Sequence, residues 1–335
     1  MNGAIIFLTG GTGFIGGKLM SALLARGHTV RALARPTSDR SGAGGDRLSW
    51  VGGDILDPDS LRRGMEGCTH VYHLAAYARN WAPDRSVFFD LNAGGARNVF
   101  EAAAHAGVRR VVFTSSIVVF GPTAPGAVGD ETMRRTTPRF FTDYEESKVV
   151  ATQEALRLAA QGVPIVIVHP TRVYGPGRQT EGNSVSSMID LYDRGRFPLL
   201  LNGGRDVGNY VLVDDLVEGH MLAMEKGRVG ERYILGGENI SLKGLFELVD
   251  ELTHRTHFQL NLPARAAMLY AAVQERKARW LGAYPRITPG WVETFLQDWA
   301  YSSGKAEHEL GYRITPLREG IRRTLDWLHA QRAEQ

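Results

Sequence analysis

A single cysteine, Cys68, stands among 335 residues, so no disulfide can form within the chain, and the composition suits a reducing compartment. No apolar run approaches the roughly 20 residues that a membrane-spanning helix requires. An excess of one charge is lacking as well: 39 Lys and Arg face 36 Asp and Glu, a net +3, and the basic residues are dispersed. Without a lysine-rich tail or an arginine stripe, a pI near 9.0 does not point to nucleic acid. No His, Cys or Asp spacing suggests a metal, and neither internal repeats nor low-complexity segments occur. Met1 to Ala4, ahead of the first apolar run, is too short for a secretory signal. Together these absences predict a cytoplasmic protein without a membrane, nucleic-acid or metal partner.

What is present begins at the N-terminus. The 43% hydrophobic content is enough for a large core in one or two closely joined lobes. Ala4 to Leu8 is an apolar run of strand length that stops at a glycine cluster, Thr9-Gly-Gly-Thr-Gly-Phe-Ile-Gly-Gly17. Gly10, Gly13 and Gly16 are three apart, and Lys18 to Arg26 then repeats apolar residues at helical intervals. Strand, glycine turn and helix form the context of a dinucleotide-binding turn, where glycine lets the backbone approach a pyrophosphate and the helix start offers free N–H groups.

His28 to Ala34 reads as a second strand, ending where an NAD-binding protein carries an acid for the ribose hydroxyls. Arg35 stands there instead, followed by Thr37, Ser38 and Arg40, a set suited to a 2′-phosphate, so NADP(H) is expected over NAD(H). Further strands are predicted at Leu48–Asp54, His70–Ala76 and Arg109–Ser116, with helices from Asp57 through Glu66 and Asp90 to Ala106 between them. This alternation predicts an α/β fold, a doubly wound parallel sheet of Rossmann type, with Gly10, Arg35, Asp54, Ala75 and Ser116 at one ligand-binding edge. Tyr144 opens a long helix that runs to about Ala160 and shares one face of it with Lys148.

These pieces resemble the extended short-chain dehydrogenase/reductase family over nearly the full length. The motifs that carry the resemblance are Thr9 to Gly16, Gly53-Asp54, His73 to Ala76, Asn92, Thr114 to Ser116, Tyr144 to Lys148, Pro170 to Gly177, Tyr210 to Asp215 and Ser302 to Tyr312. Arg35 to Arg40, Trp81-Ala-Pro83 and Gly230 to Asn239 place it nearest the dihydroflavonol reductase-like branch, which includes hopanoid-associated sugar epimerases. The resemblance implies Tyr144 as catalytic acid or base, Lys148 as its activator and ribose ligand, and Ser116 as the hydroxyl that orients a carbonyl. Ser116 is preferred to Ser115 because the family's serine lies five residues before the glycine of the next turn, here Gly121. It implies a cofactor site of Gly10, Thr12, Gly13, Phe14, Ile15, Gly16, Arg35, Ser38, Asp54, Ile55, Leu74, Ala75, Ala76, Asn92, Pro170 and Val173, with Tyr144 and Lys148. An ammonium about 4 Å from the phenol would contribute about 4 kcal/mol at an effective dielectric near 20, enough to bring the phenol toward a pKa of ~7.

A strand is expected at Val163–Val168 and another at Tyr210–Val213, with Asp214 and Asp215 capping a helix that runs to Met224. Ser241 to Glu251 and Trp291 onward read as amphipathic helix, His169 as a core or supporting histidine, and the glycine-rich loop Ser41–Gly45 as mobile. Residues 1–174, joined again by 208–235, are expected to form the NADP-binding Rossmann domain, and 175–207 with 236–335 a smaller, mostly helical substrate lobe. Tyr77, Trp81, Phe120, Phe141 and Tyr174, with Arg79, Phe140 and Tyr210 beside them, are candidate contacts for an apolar or aromatic carbonyl substrate. The expected activity is NADP(H)-dependent reduction of a ketone or aldehyde. A nucleotide-sugar epimerase or dehydratase stays open as an alternative, although the segment Arg178 to Asn183 departs from the diphosphate-gripping pattern. So does a non-enzymatic dinucleotide sensor, against which the Tyr144/Lys148 pair counts. A homodimer is implied by the resemblance.

Overall fold

A computed structural model describes residues 3–41, 44–178, 180 and 183–333. Gly42 and Ala43 of the loop expected to be mobile lie outside the described residues, as do Gln179, Glu181 and Gly182 of the segment after the Tyr-Gly-Pro-Gly turn. The strands are β1 (Ile5–Thr9), β2 (Thr29–Ala34), β3 (Leu48–Gly52), β4 (His70–His73), β5 (Arg110–Thr114), β6 (Ile165–Pro170), β7 (Arg172–Tyr174), β8 (Leu199–Leu201), β9 (Val207–Leu212), β10 (Arg232–Leu235), β11 (Glu238–Ser241) and β12 (Leu260–Leu262). The helices are α1 (Phe14–Ala25), α2 (Pro58–Met65), α3 (Ser86–Phe89), α4 (Gly95–His105), α5 (Asp143–Ala160), α6 (Ser184–Asp193), α7 (Val213–Lys226), α8 (Leu242–Thr253), α9 (Ala264–Leu281), α10 (Pro289–Phe295), α11 (Gly304–Leu310) and α12 (Leu317–Ala333).

Seven strands form one parallel sheet in the order β3-β2-β1-β4-β5-β6-β10, the doubly wound arrangement expected. Its inner strands are buried on both faces, while the edge strand β3 is partly exposed. In β6, Val166 and Val168 join the core under α1, α7 and α11, while Ile165 and Ile167 join the core under α2, α4 and α5. A period-two exchange of this kind is what helices covering both faces demand. Among the described residues, no helix is long and apolar enough to cross a membrane.

The remaining elements form a second, more helical layer. A three-stranded sheet, β11-β9-β7, meets α6, α8 and α12 around a core that includes Tyr174, Leu212, Phe246 and Leu325. The segment expected to return whole to the large sheet is therefore divided: β9 pairs in the small sheet, and β10 joins the edge of the large one. Two other expectations need correction. The acids at the start of α7 do not cap it: Asp214 pairs with Lys18 of α1 at 2.6 Å, and Asp215 accepts both N–H and hydroxyl of Thr315 at 2.7 Å. They tie elements together that the local pattern could not foresee. The C-terminal stretch is also not continuous helix, because Asp298 to Tyr301 runs extended and bridges to Thr123, Gly129 and Gly208. Helix α9 lay outside the periodic segments recognised in the sequence.

Helix α5 shows why its start is fixed. Thr142 accepts the N–H of Glu145 at 3.1 Å, Glu145 reaches back to the N–H of Phe141 at 2.6 Å, and three acids occupy the first turn. This is a capping box shifted by one residue, completed by favourable dipole placement. Glu145 is buried and paired with Arg135 at 2.6 Å, which anchors the turn from the other side.

Helix α10 rests on that same corner. A Cβ on Gly290 would lie 2.1 Å from the carbonyl oxygen of Phe141. Gly290→Ala is expected to lower stability by about 1–3 kcal/mol in denaturant unfolding, because a backbone oxygen cannot yield, and helix propensity returns less than about 1 kcal/mol.

Candidate active site

The floor of the site is the glycine turn. Gly10 has φ +77°, and a Cβ there would lie 2.7 Å from the Ala75 nitrogen, so the turn presses against the end of β4. A Cβ on Gly16 would lie 2.1 Å from the Gly10 carbonyl oxygen, so α1 sits directly on the turn. Gly13 stands at the helix start and brings no side chain to it, leaving the first-turn N–H groups open to an anion. These features fit a dinucleotide pyrophosphate. Thr9 supports the turn from behind: its hydroxyl accepts the Ala75 N–H at 3.2 Å and is hydrogen-bonded to His73 at 2.7 Å. Burial holds His73 neutral, its pKa pushed down to about 3.

Two cavities meet the start of α1. The smaller, of about 290 Å³, is lined by Thr12, Gly13, Phe14, Lys18, Asp39, Arg40, Trp50 and Arg178 among others. Arg35 and Ser38 form a turn beside it, the Arg35 carbonyl accepting the Ser38 N–H at 3.0 Å and the Arg40 guanidinium at 3.4 Å. Arg35 itself is exposed and lines neither cavity; the arginine in the wall is Arg40, which lies 5.8 Å from the Trp50 ring centroid. Asp39 would oppose a phosphate, but Arg178 forms an ion pair with it and also reaches the Thr12 carbonyl at 3.4 Å. Arg178 and Trp50 were not among the site residues expected from sequence. Asp54 folds its carboxylate onto the Leu56 N–H at 3.0 Å, and Ile55 packs against Gly95; neither lines a cavity. Asn92, in a π-helical turn, spends its amide on both the Tyr77 backbone and the Ser147 hydroxyl, clamping the chain after β4 to α5.

The larger cleft, about 910 Å³, is lined by Ile15, Leu74, Ala76, Ser116, Tyr144, Lys148, Pro170 and Val173, which brings the three expected catalytic residues together with the expected nicotinamide neighbours. Ser115 and Ser116 separate as their order at the strand end requires. Ser115 bonds Thr152 of α5 at 2.6 Å, whereas Ser116 lines the cleft with Tyr144 and lies close enough to its phenol to oppose the effect of burial on it. His169 supports Ser116: its Nδ1 donates to the Ser116 carbonyl at 3.0 Å, and burial keeps the ring neutral with a pKa of about 3.

The charge state of the pair differs from the expectation. Burial pushes the Tyr144 phenol above its ordinary range, and the nearby Ser116 hydroxyl only partly opposes this. Lys148 does not pull it toward neutrality, because its ammonium is turned to the Thr114 carbonyl at 2.9 Å and lies 4.8 Å from the Phe113 ring centroid. Burial lowers Lys148 itself to about 7. The site therefore holds a protonated phenol beside a weakly held ammonium, an arrangement that gives protons more readily than it takes them.

The expected substrate contacts lie outside the cleft lining. None of Tyr77, Trp81, Phe120, Phe141 or Tyr174 is among the described residues that line the cleft. Trp81, Phe120 and Tyr174 are buried in packing, Tyr77 stands edge-on to Phe88, and Phe141 packs beside Phe120. Side chains close in sequence to the catalytic pieces are consumed in holding those pieces. The aromatic wall comes instead from Phe197, Tyr284, Trp291, Phe295 and Trp299, carried mostly by the C-terminal layer. The four-residue spacing of Trp291, Phe295 and Trp299 was the available signal.

Lys148 generates a pH prediction. Its folded pKa of about 7 lies below the ordinary 10.5, so the folded state binds fewer protons between those values and burial of the charge costs most below pH 7. Raising the pH from 7 to 10 is expected to stabilise the native protein relative to Lys148→Met by roughly 3–5 kcal/mol in chemical denaturation.

Comparison with known proteins agrees with this fold. The chain is 34% identical over 325 residues to a protein of Synechocystis sp. provisionally named dihydroflavonol 4-reductase, covering 96% of this chain and 93% of that one. It is 32% identical to sterol demethylase protein B of Methylococcus capsulatus, covering 96% and 97%. The crystal structure of gox2253 superposes with a TM-score of 0.82 at 35% identity, covering 98% of both chains. Residues 6–236 match the NAD dependent epimerase/dehydratase family. The chain belongs to that family of extended short-chain dehydrogenases/reductases, whose members are NAD(P)-dependent oxidoreductases, epimerases and dehydratases, and it is such an enzyme.

Proposed function

We propose that the protein is an NADP(H)-dependent reductase of a ketone or aldehyde, with Tyr144 as the proton donor. The observation that carries this reading is the placing of Tyr144, Ser116 and Lys148 together on the wall of a cleft that reaches Ile15 at the start of α1, with burial holding the phenol's pKa up. Gly10, Gly13 and Gly16 would hold the pyrophosphate, Arg40 and Arg35 the 2′-phosphate, and Pro170 and Val173 the nicotinamide. A reduced nicotinamide bound there supplies the hydride that a carbonyl carbon takes up. Ser116 orients the carbonyl oxygen, and the O–H bond of Tyr144 breaks as its proton passes to that oxygen, leaving an alcohol. Lys148, whose ammonium is the stronger acid of the pair, returns a proton to the phenolate. An epimerase would need the phenol to act first as a base, which its raised pKa disfavours.

In the same reading, residues 1–174 apart from β7, with the β10 part of 208–235, serve the cofactor, and 175–207, β7, β9 and 236–335 shape the substrate end. Pairing of α4 and α5 with a second copy would give the homodimer, and Val150, exposed on α5, is available to it.

Tyr144→Phe is expected to reduce carbonyl-dependent NADPH oxidation by about 10²–10⁴-fold while leaving NADPH binding intact. Native-like turnover by this variant, or purified protein retaining oxidised NAD tightly and consuming no NADPH on a carbonyl panel, would defeat the reductase reading. Arg40→Ala is expected to weaken NADPH binding about tenfold or more with NADH binding unchanged, measured by cofactor fluorescence.

A further inference from the structure

Of the arginines in the cleft, none of which the chemistry above uses, Arg172 is the one carried by the small sheet. Arg172 leads β7, two residues past Pro170, and lines the cleft that Ser116, Tyr144 and Lys148 also line. Its Nη1 donates to the Tyr210 hydroxyl at 3.1 Å. The guanidinium carbon lies 4.5 Å from the Phe295 ring centroid and 5.5 Å from that of Tyr210, so two aromatic rings flank it. The backbone makes room for it: a Cβ on Gly208 would lie 2.3 Å from Nη1. Tyr210 is buried, which fixes the partner that holds the guanidinium in place.

The charges around it are unbalanced. Among the described residues, no carboxylate lies within ion-pair distance of Arg172. The cleft wall carries Arg79, Arg172, Arg286 and Lys148 as bases and Glu145 as an acid, and Glu145 is already paired with Arg135. A guanidinium has five N–H donors in a planar fork, and the Tyr210 hydroxyl takes one of them. A half-buried guanidinium held by stacking, with donors to spare, is poised for an oxyanion.

That oxyanion belongs on the substrate rather than the cofactor. Arg172 is held by β9 and α10, elements of the small sheet and C-terminal layer, while the pyrophosphate seat is at the start of α1. We infer that Arg172 is a specificity-determining anchor for an acidic group, carboxylate or phosphate, on a carbonyl substrate whose apolar part packs against Trp291, Phe295 and Trp299. This deepens the reductase reading and rests on it for the identity of what fills the cleft.

The test uses the full-length protein saturated with NADP⁺ and three probes: 4-oxo-4-phenylbutanoate, its methyl ester, and phenacylphosphonate. Calorimetry is expected to give an affinity for the carboxylate or the phosphonate about tenfold or more above that for the ester. Whichever acid binds tighter identifies the group. Arg172→Gln, which keeps an N–H donor for Tyr210, is expected to bring acid and ester within about twofold while leaving ester and NADP⁺ affinities unchanged. A merely structural arginine would move all of the affinities together. Equal binding of acids and ester by the native protein, failure of both acids to bind, or an acid preference that survives Arg172→Gln overturns the inference. An acid preference that depends on Arg172, found beside a fully active Tyr144→Phe, would leave the anion site standing and remove the reductase reading instead.

Discussion

The whole arrangement depends on how closely α1 approaches the ends of β1 and β4. Gly16 lies on the carbonyl of Gly10, and Gly10 lies against the peptide at Ala75, with no space at either contact for a methyl group. A larger residue at either point would lift the helix start away from the strand ends and spread the groove in which a pyrophosphate would lie. Parallel strands deliver their carboxyl ends to one edge, so this contact also sets the distance from the nucleotide seat to Ser116 at the end of β5 and to Pro170 at the end of β6.

The second constraint is electrostatic. Helix α5 carries Tyr144 and Lys148 one turn apart, and its alanines Ala151 and Ala155 let it pack tightly on the sheet. Packing shields Lys148 wholly and Tyr144 in part from water, so burial sets their proton affinities more than their mutual attraction does. The phenol rises and the ammonium falls. The Coulomb argument made from spacing alone treats the lysine as a full charge aimed at the phenol. In the fold its Nζ is turned to the Thr114 carbonyl and the Phe113 ring.

Much of the fold was legible because it is local. The apolar run before the glycines, the Asp57 cap of α2, and the strand that stops just before two serines each follow from residues within a few positions of one another. The roles of Ser116, Tyr144 and Lys148 were implied by the family resemblance rather than by local pattern, and the fold brings all three to one cleft. The cleft wall was not legible. Tyr77, Phe120 and Tyr174 stand next to catalytic segments in the chain, yet their large apolar surfaces are taken up by the cores that hold those segments. Asp214 and Asp215 misled in the same manner, since Lys18 and Thr315 are far away in sequence.

The amino-acid sequence by itself determined the strand–turn–helix unit at the N-terminus, the alternation that makes a parallel sheet, and the presence of a tyrosine and a lysine on one helical face. Glycine sterics and side-chain periodicity act over a few residues, so they can be read from neighbours alone. Only the tertiary structure decided which aromatic side chains face the cleft, that Arg172 is left there without an acid, and in which direction burial moves the proton affinities of Tyr144 and Lys148. Those properties follow from burial and from partners far apart in the chain, such as the contact of Tyr301 with Gly121, 180 residues away, that ties the C-terminal layer to the turn after β5. No local pattern encodes them.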